Sequence, residues 1–540
     1  MSTQAINRVA KNTGILYLRM AITVFISLYA TRLTLTALGV EDFGLYNLVG
    51  GVIAMLGFLN ASMSSSTQRF MSFAQGQGDL NKIKQIFNMS TLLHLGIAVA
   101  VVIAFEIAGY FFFNGVLNIE TARLPIAKLV YQFMVISTLF TIISVPYEAV
   151  ITSHENMLFY AILGIIESVL KLGIAFYISY GSLSLPTDIS LIDNHILIKY
   201  SLFDNLIIYG LLMALLNVLM LLVRRIYCHI NYAECELSFK KHYNKSLIRQ
   251  ISSFAGWSLL GSASSMISLY GQGIVINLFF GTSVNAAQGL ANQISGQLGT
   301  FAITLIKALN PMIDKSEGAG NRALMLKATM MGSKVSFFLM MILHIPMLIE
   351  MPFILKLWLT NVPEFSVIFC QLLLARNLIE QLFNPLVSAI SAQGNIRGYQ
   401  TTSSLMTLLP LPVSYILFKL NYPAYSMYVI FILYSMLLST IILYFAKKNC
   451  QLPINEFVGN VIIRCAAAFT FVFSLSLIPY FYIPHGFTRL IGVIVTSILC
   501  YLIIVYLVGF SNEERIKIKQ LAFILISKLA IKNNKKLIIF

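Results

Sequence analysis

Long apolar runs broken by short polar segments repeat from one end of the chain to the other. They fall at about 14–38, 44–63, 87–112, 124–150, 157–180, 203–226, 252–280, 286–311, 329–355, 364–390, 402–420, 424–446, 460–480 and 487–509. Each approaches the roughly 20 residues that a helix needs to cross a bilayer core. The runs are continuous rather than alternating, and that selects helices over barrel strands as the way to satisfy the backbone in lipid. The pattern predicts an all-α, polytopic membrane protein with about fourteen transmembrane helices. Two runs fit least well: the eighth is polar, and the eleventh is interrupted by Pro410 and Pro412.

Composition agrees. The chain is 58% hydrophobic and 11% charged, with a mean hydropathy of +0.81. A soluble domain carries about 25% charged residues, so lipid must be the solvent for most of this surface. A net charge of +16 would raise nucleic acid as a partner for a soluble protein; here the distribution of charge speaks for topology. With an even number of crossings, one side holds Arg8, Lys11, Arg69, Lys82, Lys84, Lys315, Arg322, Lys327, Arg397, Lys447 and Lys448. The same side holds the basic segment Arg224–Arg249 and the basic tail. The other side holds Arg123, Lys199, Lys356, Lys419 and Arg489. This bias predicts that both termini and the central segment are cytoplasmic. Cys228 and Cys235 share the central loop with His229 and His242, but their spacing fits no zinc pattern. Neither a metal nor a cofactor is expected, and the first run lacks the cleavage site of a secretory signal.

The Arg224–Arg249 segment is the longest predicted cytoplasmic connection and divides the chain. A shift of 242 positions lays Gly14 on Gly256, Gly39 on Gly281, Gly76 on Gly318 and Gly78 on Gly320. A parallel duplication of six spans would produce this. The expected units are an N-lobe over 1–226, a linker over 227–251, a C-lobe over 252–446, two additional spans over 447–510 and a basic tail over 511–540. The tail mixes cations with Ile, Leu and Phe; it reads either as an amphipathic helix on an anionic leaflet or as a simple topology signal.

Charges inside lipid are costly and face a cavity or a partner. The basic ones are Arg19, Arg32, Lys128, Lys171, Lys307, Lys334, Arg376 and Arg464; the acidic ones are Glu106, Glu148, Glu167, Glu350 and Glu380. Glu167 with Lys171, and Arg376 with Glu380, are spaced to neutralise each other within one helix. Three polar stripes stand out at helical spacing. In the first span Arg19, Thr23, Ser27 and Thr34 share a face, while Arg32 points elsewhere and can snorkel towards Glu41 or Asp42. In the eighth, Gln293, Gln297, Thr300, Thr304 and Lys307 align. In the tenth, Asn377, Gln381, Asn384 and Ser388 align beside Arg376. Rows of amides and hydroxyls ending in a cation suit sugar hydroxyls plus an anionic group; the alternative is hydrogen bonding between packed helices. Three stripes together predict a shared polar cavity. Gly50, Ala54, Gly57 and Ala61 form a small-residue stripe that predicts close helix packing.

No enzyme signature is present. His94 and His344 lack a carboxylate or Cys partner at a matching spacing, and Gly271-Gln272-Gly273 lacks the rest of a phosphate loop.

The stretch Leu38-Gly39-Val40-Glu41-Asp42-Phe43-Gly44-Leu45-Tyr46, the stretch Ser62 to Phe70 and the loop Gly76-Gln77-Gly78-Asp79 resemble the polysaccharide flippase branch of the MATE-like MOP superfamily. The resemblance implies two six-helix lobes facing each other as a V, with two further helices, in a bacterial inner membrane. It implies alternating access for an undecaprenyl-diphosphate-linked oligosaccharide such as an O-antigen unit. Polysaccharide polymerase or assembly proteins would then be partners. Arg19 sits where related flippases carry a cavity arginine, and Lys307 is the corresponding cation of the second lobe; Arg376 and Lys171 are further candidates for the diphosphate. The rival within the superfamily is a cation-coupled multidrug antiporter, for which Glu106, Glu148 or Glu167 would supply the coupling carboxylate. A membrane-embedded glycan-transfer enzyme is a third reading, and it lacks a convincing catalytic group.

Overall fold

A computed structural model describes residues 3–55, 57–116, 123–181, 204–359 and 361–516. Nearly all of these are helical, and no strand occurs among them. Among the described residues twelve helices are long and apolar enough to cross a membrane. The two predicted spans missing from that set, at about 44–63 and 286–311, occupy corresponding positions under the 242-residue shift. The second of these runs is polar; the first is apolar but is divided between α1 and α2, with residue 56 outside the description.

The reason lies in how the chain turns. α1 (Thr3–Met55) carries the first span and the start of the second, and turns at Gly39 with φ 76° and ψ 172°. α7 (Lys245–Gly318) carries the seventh and eighth, and turns at Gly281 with φ 77° and ψ −170°. A positive φ with extended ψ is a glycine conformation, so the aligned glycines mark the same bend twice. α2 (Gly57–Gln77) completes the second span, and its polar groups turn inward. Ser66 and Thr67 are buried, Ser62 meets Ser262 of α7 at 3.2 Å, and Phe70 packs edge-on against Phe254.

Around α1 lie α3 (Leu80–Phe111), α4 (Leu124–Ser153), α5 (Met157–Phe176) and α6 (Asn205–Asn231), with α1 along α5 and α4 between α3 and α6. Around α7 lie α8 (Arg322–Trp358), α9 (Ser366–Gln393), α10 (Arg397–Leu408), α11 (Pro410–Lys419) and α12 (Ser426–Cys450). The eleventh span is the broken pair α10–α11, which starts at Arg397 rather than near 402 and breaks at the proline pair. α13 (Ile454–Phe457), α14 (Ile463–Ser476), α15 (Ile478–Tyr482) and α16 (Phe487–Ile504) form the last two spans, and α14 and α16 pack on α8. Two ion pairs fix this appendage. Arg489 of α16 meets the fully buried Glu350 of α8 at 2.7 Å, and Lys334 of α8 meets Glu514 at 2.8 Å. Arg489 is therefore a buried structural cation rather than a loop charge.

Of the small-residue stripe, Gly50 faces Met134 of α4 at 3.5 Å; the side chains of Ala54 and Ala61 lie outside the description. So do residues 182–203, with the predicted outer loop and Lys199, and the tail from residue 517 onward.

The segment between α6 and α7 is docked. Asn88 of α3 donates to the Glu236 carbonyl and accepts from the Ser238 amide, each at 2.8 Å. A hydrogen bond from Lys84, with help from Lys241, holds the Glu236 carboxyl down at about 2, against an ordinary 4.5. A depressed carboxylate contributes fully above its ordinary pKa and is lost as pH falls through the folded value. Amide exchange in residues 232–244, corrected for intrinsic rate, should be flat from about pH 8 to 5 and accelerate below about pH 3. Equal protection at the acid end would exclude this contribution.

Candidate functional site

The turns at Gly39 and Gly281 bring α1 and the second limb of α7 face to face. At the end of the bundle that carries the N terminus they touch. Leu16 packs with Ala308 and Met157, Tyr17 Oη donates to the Phe301 carbonyl at 2.9 Å, and Lys315 pairs with Glu155 at 3.1 Å. The tightest approach is reciprocal. A Cβ on Gly76 would lie 2.1 Å from the Lys315 carbonyl oxygen, and one on Gly318 would lie 2.0 Å from that of Phe73. Phe73 and Lys315 are themselves 242 residues apart, so residues related by the shift exchange partners, as a twofold axis requires.

Just inside this closed end lies a charged cluster. Arg19 of α1 stacks over the Tyr160 ring at 4.3 Å, and its guanidinium lies against Gly164 of α5, where a Cβ would push it aside. Lys307 of α7 approaches the same ring at 4.1 Å and donates to Tyr160 Oη at 2.5 Å and to Glu148 at 2.9 Å. Two cations, one from each half of the duplication, thus meet on one tyrosine. The cluster extends through Arg224, which lies 3.7 Å from Glu167, to Lys171, which donates to Glu167 at 2.7 Å. Four cations stand against two carboxylates, so the cluster carries a surplus of two positive charges.

Above it is a cavity of about 550 Å³ lined by Thr23, Ser27, Thr34, Tyr46, Ser168, Lys171, Tyr209 and Gln297. Thr23, Ser27 and Thr34 of the first-span stripe thus meet Gln297 of the eighth-span stripe, whose other members lie outside the cavity wall. Thr304 faces Met20, with Oγ1 3.8 Å from its sulfur. Thr300 bonds back to the Gln297 carbonyl, and Gln293 is exposed. Asp42 pairs with Arg123 at 3.2 Å, and Arg32 is exposed.

The tenth-span stripe behaves differently. Asn377 donates to Ser295 at 3.0 Å, and the buried Gln381 accepts from Ser336 at 3.0 Å; both join packed helices. The neighbouring face, one residue round the helix, lines a second cavity of about 610 Å³ with Arg376, Glu380, Asn384 and Ser391. The expectation of one cavity shared by three stripes is thereby corrected to two cavities. Arg376 and Glu380 pair at 2.7 Å, and Ser435 donates to Glu380 at 3.1 Å. The opposite wall is Ser258, Ser262, Ser265, Ser268 and Gln272 of α7. That row has helical spacing in the sequence and went unread because it lies in an otherwise apolar run. Tyr160 carried no sequence signal at all.

The Glu148–Lys307 pair bridges α4 and α7, with side chains 25% and 29% exposed. At such exposure a pair is worth about 1 kcal/mol, so Glu148→Gln should loosen the closed end by roughly fivefold. A thiol placed at the buried Ala308, in a background without the six native cysteines, should then react correspondingly faster with a water-soluble maleimide. An unchanged rate would show that the pair does not hold this end shut.

Compared with protein-family models and with curated protein sequences, the chain matches none. Among solved structures it resembles an outward-facing multidrug resistance MATE family transporter of the MOP superfamily, at 14% identity and a TM-score of 0.67, over 84% of this chain and 96% of that one. It resembles a MOP superfamily transporter from Pyrococcus furiosus, described as having a binding pocket of reversed polarity, at 14% identity and a TM-score of 0.66, over 83% of this chain and 96% of that one. A MATE protein in a bent conformation matches at 12% identity and a TM-score of 0.66, over 84% of this chain and 97% of that one. The chain has the MATE-like transporter fold.

Proposed function

We propose that this chain is a flippase that carries an undecaprenyl-diphosphate-linked oligosaccharide across the bacterial inner membrane by alternating access between an N-lobe (1–226) and a C-lobe (252–446). One observation carries the reading: Arg19 and Lys307 flank Tyr160 in a membrane-embedded cluster with two uncompensated positive charges. Such a surplus is costly in lipid, and a dianionic diphosphate offsets it. The α7–α9 cavity, walled by serines and amides, supplies the donors and acceptors that a glycan needs. Both termini face the cytoplasm in this reading, so the closed end is the cytoplasmic one.

The second reading is a MATE-type antiporter exporting small molecules, favoured by the multidrug transporter among the structural neighbours. It requires a carboxylate free to exchange a cation; Glu148 and Glu167 are each engaged by basic side chains, which leaves Glu106, bonded to the Gln132 amide at 3.2 Å, as the group such exchange would use. Paired complementation separates the two. Restored surface-glycan display in a flippase-null strain, without drug tolerance in a pump-deficient strain, is the expected outcome. Drug tolerance without glycan display would favour the antiporter.

A further inference from the structure

Away from the α1–α7 cluster, a cavity of about 680 Å³ opens where α2, α3, α7 and α10 meet at the N-terminal end of the bundle. Its polar wall includes Arg69, Lys82, Arg249 and Arg397, its apolar wall includes Trp257 and Phe254, and among the described residues no Asp or Glu lines it. The cations are graded in depth. Arg69 is only 8% exposed; it donates through Nη2 to the Ala392 carbonyl at 2.6 Å, and its Nε lacks a hydrogen-bond partner among the described residues. Asp314 and Glu317 lie within electrostatic reach of Arg69 but outside the cavity wall. Lys82 donates to the neutral Gln77 at 2.9 Å. Arg249 and Arg397 are exposed, and Arg397 lies 5.3 Å from the centre of the Trp257 ring.

A buried guanidinium with an unused donor and three further cations, with no carboxylate among the described wall residues, make a pocket suited to an anion. Guanidinium and ammonium groups together suit phosphoryl oxygens. The level in the membrane selects the source. The cavity sits at helix ends beside a tryptophan, the residue of the bilayer interface, where basic pockets between helices bind lipid head groups. We infer that this cavity binds the phosphoryl head group of an anionic lipid from the leaflet on the N-terminal face, at a site distinct from the Arg19–Lys307 cluster. The inference does not rest on the flippase reading.

Trp257 reports on the site. The chain has two tryptophans, and the other, Trp358, ends α8 on the opposite face, so Trp358→Phe leaves a single reporter. In phosphatidylcholine nanodiscs, dioctanoyl phosphatidic acid should change Trp257 fluorescence saturably, and dioctanoyl phosphatidylcholine should not. Each cation near the surface is worth about fivefold in affinity. Lys82→Gln/Arg249→Gln, which spares the Arg397–Trp257 contact, should therefore weaken the response at least about tenfold. Lys240→Gln/Lys447→Gln/Lys448→Gln, which removes charge from the same face outside the cavity, should leave it unchanged. An equal response to pyrophosphate would overturn the lipid as the source and assign the phosphoryl group to solution. No response, or equal weakening in both sets of variants, would overturn the site.

Discussion

Arg19→Ala should cut transport by about tenfold to a hundredfold while the protein stays folded and abundant. Arg19 contributes to packing chiefly through its stack on Tyr160, and a cation–π contact of this kind is worth about 0.5–1 kcal/mol. That is too little to unfold a bundle of this size. Its charge is a different matter. In the cluster the two carboxylates already engage Lys171, Arg224 and Lys307, so Arg19 is the cation with no ion pair of its own among the described residues and the one most available to a substrate. A charge-assisted hydrogen bond to phosphate is worth about 1.5–3 kcal/mol, and losing it should reduce flux by about tenfold to a hundredfold. Arg19→Lys should retain partial activity, because the charge persists while the bidentate fork is lost. Lys307→Gln should be weaker in effect than Arg19→Ala, since part of its role is to neutralise Glu148. Glycan display in a flippase-null strain, with protein abundance measured alongside, checks the order. Full display by Arg19→Ala at normal abundance would return Arg19 to a purely structural role.

Gly318→Val should open the closed end. Any Cβ at this position meets a backbone carbonyl at 2.0 Å, and a backbone atom cannot rotate away. Overpacking of this sort costs about 1–3 kcal/mol, charged here against one conformation, because the contact exists only while α2 and α7 touch. The Ala308→Cys thiol should become about tenfold or more accessible to maleimide, and Gly76→Val should do the same by symmetry. A general loss of melting temperature without a change in labelling would mean that the contact is structural in every state.

Much of the fold was legible in the sequence because lipid leaves few alternatives to a helix. Run length marked the spans, and two of the glycines whose alignment signalled a duplication prove to be the sites of the two bends. The i, i+4 pairs Glu167–Lys171 and Arg376–Glu380 were legible because helical periodicity alone brings their side chains together. The pairs that tie helices to one another were not. Glu148 and Lys307, Glu350 and Arg489, and Lys334 and Glu514 are all more than a hundred residues apart, and nothing local encodes them. The tenth-span stripe shows a subtler limit. Periodicity found a polar face, but two adjacent polar faces compete on α9: Gln381 went to packing and Asn384 to the cavity. Hydrophobic context misled in the opposite direction for the α7 serines, whose hydroxyls line a cavity from within an apolar run.

The most direct test of the central claim is transport by the purified protein. Proteoliposomes would carry a fluorescent undecaprenyl-diphosphate-linked oligosaccharide in both leaflets, with a membrane-impermeant quencher added outside. The protein should make the inner-leaflet pool accessible to the quencher, and Arg19→Ala should do so at least about tenfold more slowly. Efflux of a cationic dye by the same preparation, with the lipid-linked pool left protected, would contradict the claim.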